Sequence, residues 1–363
     1  MVALVVVGMG DVGSSLLAGV EATRAHLVHP WGSLVEAGGA ARRPEHGSAS
    51  PLRPLAPFAE LSDLALGAFE LKDDDAYRAA LRAGLLNRSL VDELRPRLRQ
   101  IRAISGARHA PTRRHLADAL AEELRGFREH HSCTGAVVVC TLPGPRSPHP
   151  NPPFEPADLW TALEEGGPDA TPGAVYAAAA ALAGFGFVAA APDSALQAPA
   201  IANLFAQAGQ PIAGVGLLAP DAALREALAQ VLGTEALGLI GATSLTTRVE
   251  ERGDRLWGGP DRTQEMGLGA CWAGGSLELC IEVRGQIALH QAARALDAAL
   301  LVELAQRAGR RGAQEWMAGL FASQPGSSAP REAQPRTLAE RRALLVAELP
   351  ALAAEATDST RAA

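Results

Sequence analysis

The chain has 363 residues, 48% hydrophobic and 20% charged, with a formal net charge of −7. That length allows two domains and a substantial buried core, and the composition is that of a globular chain rather than a fibrous or disordered one. The acidic balance argues against a nucleic-acid partner, the opening apolar stretch is too short to span a bilayer, and without a basic leader the expected compartment is the cytoplasm.

Residues 2–7 (VALVVV) read as a continuous buried strand of the parallel type. Gly8, Gly10 and Gly13 follow as G-x-G-x-x-G, and residues 11–24 continue as a helix. A polar, Gly/Pro-rich interval covers 38–57, and 64–71 reads as another strand. Asp73 to Asp75 open a helix, because carboxylates suit its positive N-terminal end. Helical periodicity covers 89–103, interrupted by Pro96, and 112–129, while 135–141 (GAVVVCT) is a strand. The Pro- and Gly-rich stretch 142–173 predicts a long surface loop.

Beyond it, helix 173–184, strand 185–190, helix 197–209, strand 211–217, helix 220–232 and strand 236–246 alternate. Such alternation predicts βαβ units and an α/β, doubly wound parallel sheet. Residues 250–268 read as loop, 275–289 as a long half-buried strand and 290–308 as a helix. Residues 323–336 are a linker by composition, and Thr337 with Glu340 forms a T-x-x-E capping box for a last amphipathic helix.

Cys133, Cys140, Cys271 and Cys280 form no C-x-x-C pair and stand at no zinc-ligand spacing from a histidine, so reduced thiols and no metal are expected. Of the 33 basic residues only Lys72 is a lysine. A GC-rich genome, which drives Lys to Arg wherever either will do, is the simplest reading of that bias. Arginine, however, cannot replace a lysine that must give up its proton near neutrality.

The glycine cluster lies between a strand and a helix, the context a Rossmann-like dinucleotide site requires. The first glycine permits the tight turn, the second lets the backbone approach a pyrophosphate, and the third brings helix and strand together. Gly8, Gly10, Asp11, Val12, Gly13, Ser14 and Ser15 are therefore the candidate cofactor contacts, the serines adding hydroxyl donors. The same letters also describe a strand-to-helix turn without a ligand. For the acidic residue that holds the ribose, Glu36 sits in GSLVEAGG, a poor strand end. Glu70, closing LGAFEL, is the better candidate, its other reading being an exposed strand-end carboxylate.

The order of these motifs resembles the myo-inositol-1-phosphate synthase family over roughly residues 1–322. GMGDVGSSLLAG is similar to the family's G-x-G-x-x-G-S-T/S-L-x-x-G, GSLVEAG to G-S-L-x-x-A, and GAFEL to G-G-W-D-I, with Glu70 at the aspartate. LVDELRPRL resembles L-x-x-Q-L-R-P-x-M, and AVVVCTLPGPR stands where the family has W-T-A-N-T-E-R, matching Thr141 and Arg146. The resemblance implies NAD as cofactor, with Thr141 beside it. It also implies a reaction in which NAD oxidises a hydroxyl of glucose 6-phosphate, the ketone enolises, an aldol addition closes the ring and the same NADH reduces the product.

The departures fall on the residues that would run this chemistry. The family's N-G-S-P-Q-N is here Ala189 to Ser194, its paired aspartates are Val215 and Gly216, and its lysines are Leu218, Ala223 and Arg225. Its N-H-L-G-N-N-D-G becomes Thr243 to Glu250, and the aspartate of its E-D-S motif is Val283, while Glu282 holds the glutamate position. Each step needs a proton carrier or a cation beside an oxyanion, and arginine supplies only the second. Arg225, as a phosphate or oxyanion clamp, and Glu282 are the catalytic candidates, with Asp193, Asp221 and Arg248 as further charged replacements.

The expected protein is a NAD-binding relative whose family reaction is altered or lost, taking a phosphorylated sugar or polyol if active. The alternatives are a non-catalytic nucleotide-binding partner protein and an oxidoreductase on another phosphorylated polyol. By resemblance, residues 1–235 with 290–322 form the NAD-binding domain and 236–289 a second α+β sheet domain. That sheet implies a homo-oligomer, dimer or tetramer, and residues 323–363 are the linker and last helix.

Overall fold

The structure is a computed structural model that describes residues 1–36, 52–70, 72, 74–105, 110–146, 151–218, 238–248, 261–270, 275–326 and 337–362. Its strands are β1 (Val2–Val7), β2 (Leu64–Glu70), β3 (Ala103–Ser105), β4 (Gly135–Cys140), β5 (Gly186–Ala189) and β6 (Pro211–Ala213). They continue with β7 (Val215–Leu217), β8 (Gly238–Arg248), β9 (Asp261–Ala270), β10 (Ser276–Gly285), β11 (Gly312–Ala313) and β12 (Phe321–Ser323). The helices are α1 (Asp11–Arg24), α2 (Ala76–Ala83), α3 (Arg88–Glu93), α4 (Arg95–Leu98) and α5 (Arg113–His130). After them come α6 (Pro156–Glu165), α7 (Pro172–Ala183), α8 (Pro199–Gln207), α9 (Ile287–Arg307) and α10 (Leu338–Ala362).

Among the described residues, seven parallel strands form the main sheet in the order β11–β6–β5–β4–β1–β2–β3. The apolar run of β1 is explained by burial on both faces. Val2, Leu4 and Val6 enter one core with α1, α9 and α10. Ala3, Val5 and Val7 enter the other with α5, α7 and α8. A second, antiparallel sheet is built of β8, β9 and β10 in the order β10–β9–β8. The α/β, doubly wound architecture is as expected.

Several local expectations need correction. The predicted loop 142–173 contains α6, whose start carries Pro156 and a reciprocal Glu155/Asp158 capping box and whose end is Gly166 in the left-handed region. The strand 211–217 breaks at Gly214, φ +65°, and β7 leaves the main sheet to pair antiparallel with β12. The predicted loop 250–268 yields β9, whose polar, glycine-bearing sequence is held by partners on both sides. Helix 89–103 is split at Leu94, with Pro96 in the first turn of α4, and it ends at Leu98 before β3 starts at Ala103. The strand over 275–289 ends at Gly285, because α9 starts at Ile287. Helix 220–232 lies outside the described residues. The capping box of the last helix is present: Glu340 accepts from the Thr337 amide at 2.9 Å, and Thr337 Oγ1 accepts from the Glu340 amide at 3.1 Å.

The long helix α9 is keyed to its surroundings by polar groups inside an apolar core. Asp297 is fully buried and receives the Ser33 hydroxyl at 2.5 Å and the Leu34 and Val35 amides at 2.7 and 3.1 Å. Arg294 pairs with it at 3.3 Å. Burial pushes the Asp297 carboxyl above its ordinary range, and these donors oppose the shift. Further along the same helix, Gln306 Oε1 accepts the Ala136 amide at 2.9 Å, while its Nε2 donates to the Gly184 carbonyl at 3.2 Å. Removing a buried acceptor strands its donors. Asp297→Ala is therefore expected to lower unfolding stability by about 3 kcal/mol, the scale of breaking a buried charge network; a urea midpoint equal to that of the parent protein would contradict this.

Candidate functional site

The carboxyl ends of β1 and β4 are neighbours, and from them the strand order runs outward in opposite directions. A crevice at such a switch point is where open α/β sheets bind ligands. The glycine turn occupies one side of it. Gly8 has φ +88° and donates its amide to the Phe69 carbonyl at 2.9 Å. A Cβ on Gly13 would stand 2.0 Å from the Gly8 carbonyl oxygen, so only glycine lets α1 lie this close to the turn. Gly10 differs from both. Its φ is −74°, which any residue adopts, and no described atom lies within 4 Å of where its Cβ would be.

Asp11 and Val12 begin α1, and among the described residues no side chain caps its first turn. Such an end presents amide donors and a positive dipole to an anion. Ser14 turns its hydroxyl back onto the Gly10 carbonyl at 2.7 Å, which spends its proton on the turn; Ser15 is buried. Thr141, just after β4, sets its hydroxyl between the Val7 and Gly8 carbonyls at 3.0 and 2.7 Å. It braces the turn from across the crevice. Glu70, at the end of β2, accepts the Met9 amide at 2.8 Å and so holds the turn from the other side. Glu36, the weaker acidic candidate, is not at a strand end: it pairs with Arg53.

Beside the turn lies a cavity of about 310 Å³, within the range of small-molecule sites. Phe69, Leu116, Leu142 and Val175 make its walls apolar, and Glu70, Arg113 and Tyr176 contribute polar groups. Phe69 and Tyr176 touch as tilted rings with centroids 5.5 Å apart. Sequence reading did not single out Arg113, Tyr176 or Phe69. One signal was present: Thr171 before Pro172 marks the start of α7, and its hydroxyl caps that helix by accepting the Ala174 amide.

Asp193 secures the loops on the far side. It is buried, receives the Thr171 hydroxyl at 2.7 Å and the Ala195 amide at 3.0 Å, and lies where a Cβ on Gly144 or Gly173 would overlap it. Burial raises its pKa, with both hydrogen bonds opposing. Glu282 lies elsewhere, on the exposed side of β10 opposite Gln264, and does not line the cavity. Arg225 and Asp221 lie outside the described residues; Arg248 ends β8. Burial pushes the Cys140 thiol up to about 12, so it is no thiolate nucleophile. Among the described residues no cluster of metal-ligating side chains occurs, and no helix is long and apolar enough to cross a membrane.

A parallel sheet in this order, with a glycine turn between β1 and α1 and an acidic residue closing β2, defines a dinucleotide-binding α/β protein. The sequence profile of the myo-inositol-1-phosphate synthase family, a NAD-binding family, matches residues 2–324, and the chain belongs to that family. It is 25% identical over 282 residues to inositol-3-phosphate synthase 1 of Bacteroides thetaiotaomicron. That alignment covers 72% of this chain and 65% of the relative. The fold is similar to the crystal structure of an inositol-3-phosphate synthase from Caenorhabditis elegans, with a TM-score of 0.80 at 14% identity, covering 97% of this chain and 86% of that one. A myo-inositol-1-phosphate synthase-related protein from Thermotoga maritima matches with a TM-score of 0.69 at 16% identity, covering 96% and 98%.

The raised pKa of Asp193 fixes the sign of a pH effect. Between its ordinary value of 3.8 and the higher folded value, the folded state holds more protons than the unfolded, so stability falls as pH rises through that window. Asp193→Asn keeps an acceptor for Ala195 and can donate to Thr171 Oγ1. The stability of the parent protein relative to this variant should decline as pH is raised above 4, as read by urea unfolding across pH 4 to 7. A difference independent of pH would refute the assignment.

Proposed function

We propose that the chain binds NAD at the glycine turn but no longer carries out the family's cyclisation of glucose 6-phosphate. The observation that carries the first half is Gly10. Neither its backbone angle nor any described neighbour calls for a glycine, so the missing side chain is explained by a ligand that approaches the backbone there. The surroundings fit NAD: amides and dipole of α1 for the pyrophosphate, Glu70 for a ribose hydroxyl, and the apolar cavity for the adenosine end. Bound there, the nicotinamide would supply hydride transfer.

The second half rests on proton chemistry. The one lysine, Lys72, is exposed in the turn after β2. Val215 is buried in the apolar core at one family aspartate position, and at the other Gly216 takes a left-handed backbone, φ +74°. Leu218 stands at a family lysine position. Valine, glycine and leucine at these three positions can neither accept nor hold a proton, and Lys72 stands at none of them. Arg225 and Glu282 remain the candidates for binding a phosphorylated sugar or polyol, and the β8–β10 sheet for joining subunits of a cytoplasmic homo-oligomer.

Calorimetry with NAD⁺ and an assay of glucose 6-phosphate conversion test both halves. The parent protein should bind NAD⁺ without forming inositol phosphate. Gly10→Ala should unfold at the same urea concentration yet bind NAD⁺ on the order of tenfold more weakly or worse, the equivalent of losing a close polar contact. No binding at millimolar NAD⁺ would overturn the cofactor assignment, and turnover of glucose 6-phosphate would overturn the loss of activity.

A further inference from the structure

His290 and Arg294 stand one turn apart on α9, so their side chains share a face of that helix with Asp297, which follows a turn later. Alongside runs α10, whose Leu345, Leu349 and Leu352 enter the same core as Ala292, Ala295 and Leu296 of α9. Arg342 precedes Leu345 by three residues and therefore lies on the side of α10 that carries these leucines. It is within the electrostatic reach of both Arg294, which lowers its pKa, and Asp297, which opposes that effect. His290 is under the field of Arg294 in the same way. One imidazole and two guanidiniums thus gather where the two helices meet.

The carboxylate beside them is already committed. Asp297 accepts from the Ser33 hydroxyl and from the Leu34 and Val35 amides, and it meets Arg294 through Nη1 alone, at 3.3 Å. A guanidinium has five donors and keeps its charge, so Arg294 has further donors for another acceptor, and its side chain is partly open to solvent. Arg342 brings a second full charge to the same place. The Nδ1 of His290, in turn, is shut from solvent and has no hydrogen-bond partner. A buried polar atom in that state is costly, and a ligand that supplies the missing partner accounts for it. Burial and the charge of Arg294 hold the His290 pKa below its ordinary value, so the ring is neutral near neutrality and can donate through Nδ1 as one of its tautomers.

The planar fork of an arginine matches two oxygens of a phosphate, and a third oxygen remains for the imidazole. A carboxylate offers only two oxygens to these three groups, and chloride leaves the fork unmatched. None of the three residues lines the cavity beside the glycine turn. Nor do they stand where the family carries its lysines, positions held here by Leu218, Ala223 and Arg225. We propose that His290, Arg294 and Arg342 form an oxyanion site between α9 and α10 that takes inorganic phosphate or the phosphate group of a monoester. Arg294 supplies the fork, Arg342 the added charge and His290 the neutral donor. The site is separate from the glycine turn and does not depend on NAD binding there.

The test is calorimetric titration of sodium phosphate at constant ionic strength, with sodium chloride as control and glucose 6-phosphate as the monoester. The parent protein should bind phosphate at millimolar concentration or below. His290→Phe and Arg294→Met should each weaken that binding by about tenfold, the scale of one lost charge-assisted contact. Gly10→Ala, which alters only the glycine turn, should leave it unchanged. Because Arg294 also holds Asp297, its variant is compared after urea unfolding shows it folded; in the parent protein the Nδ1 nitrogen resonance of His290 should move when phosphate is added. Tighter binding of glucose 6-phosphate than of phosphate would support a monoester as the ligand, and equal or weaker binding would support free phosphate. No binding at tens of millimolar phosphate, an equal response to chloride, undiminished binding in folded His290→Phe, or weakening by Gly10→Ala overturns the proposal.

Discussion

The contact on which the site depends is the approach of Gly13 to the Gly8 carbonyl, where a Cβ would come within 2.0 Å. With no side chain there, α1 starts directly above the end of β1, and its first turn faces the crevice between β1 and β4. The other features of the turn follow from that placement. The Met9 amide comes within reach of Glu70, and the Val7 and Gly8 carbonyls come within reach of the Thr141 hydroxyl. A methyl group at position 13 would push the helix off the strand and undo these bonds together.

A second constraint acts from the far end of the sequence. α9 covers the same face of the sheet as α1, and its buried Asp297 holds the 33–35 turn that follows α1. Gln306 meanwhile joins the start of β4 to the loops at 184 and 210. These groups are costly to bury and useful only in one register, so they fix the axial position of a helix that apolar packing alone would allow to slide. The site is therefore framed from both sides of the sheet: by α1 and α9 on one face, and by the Asp193–Thr171 pair and α5 and α7 on the other.

Much of this was legible in the letters because it is local. VALVVV before three spaced glycines, Thr171 before a proline, Asp75 before α2 and Thr337 three residues ahead of Glu340 each encode their element through contacts a few residues apart. The failures have equally physical causes. β9 is stabilised by strands on both sides rather than by its own pattern, and α6 was hidden because its Pro and Gly mark helix ends and not a loop. Arg113, Phe69 and Tyr176 share a cavity only because β2, α5 and α7 converge on it.

By itself, then, the sequence determined the α/β alternation, the strand–glycine–helix unit, the family and the single lysine, because each is written in residue identity or short-range spacing. Tertiary structure alone decided the strand order that makes the β1–β4 crevice, the separation of Glu282 from the cavity and the commitment of Glu70, Thr141 and Ser14 to the turn itself. The reason is one of range: spacing along the chain sets what a segment can become, whereas hydrogen bonds and charges act over a few ångströms between segments that only the folded sheet brings together.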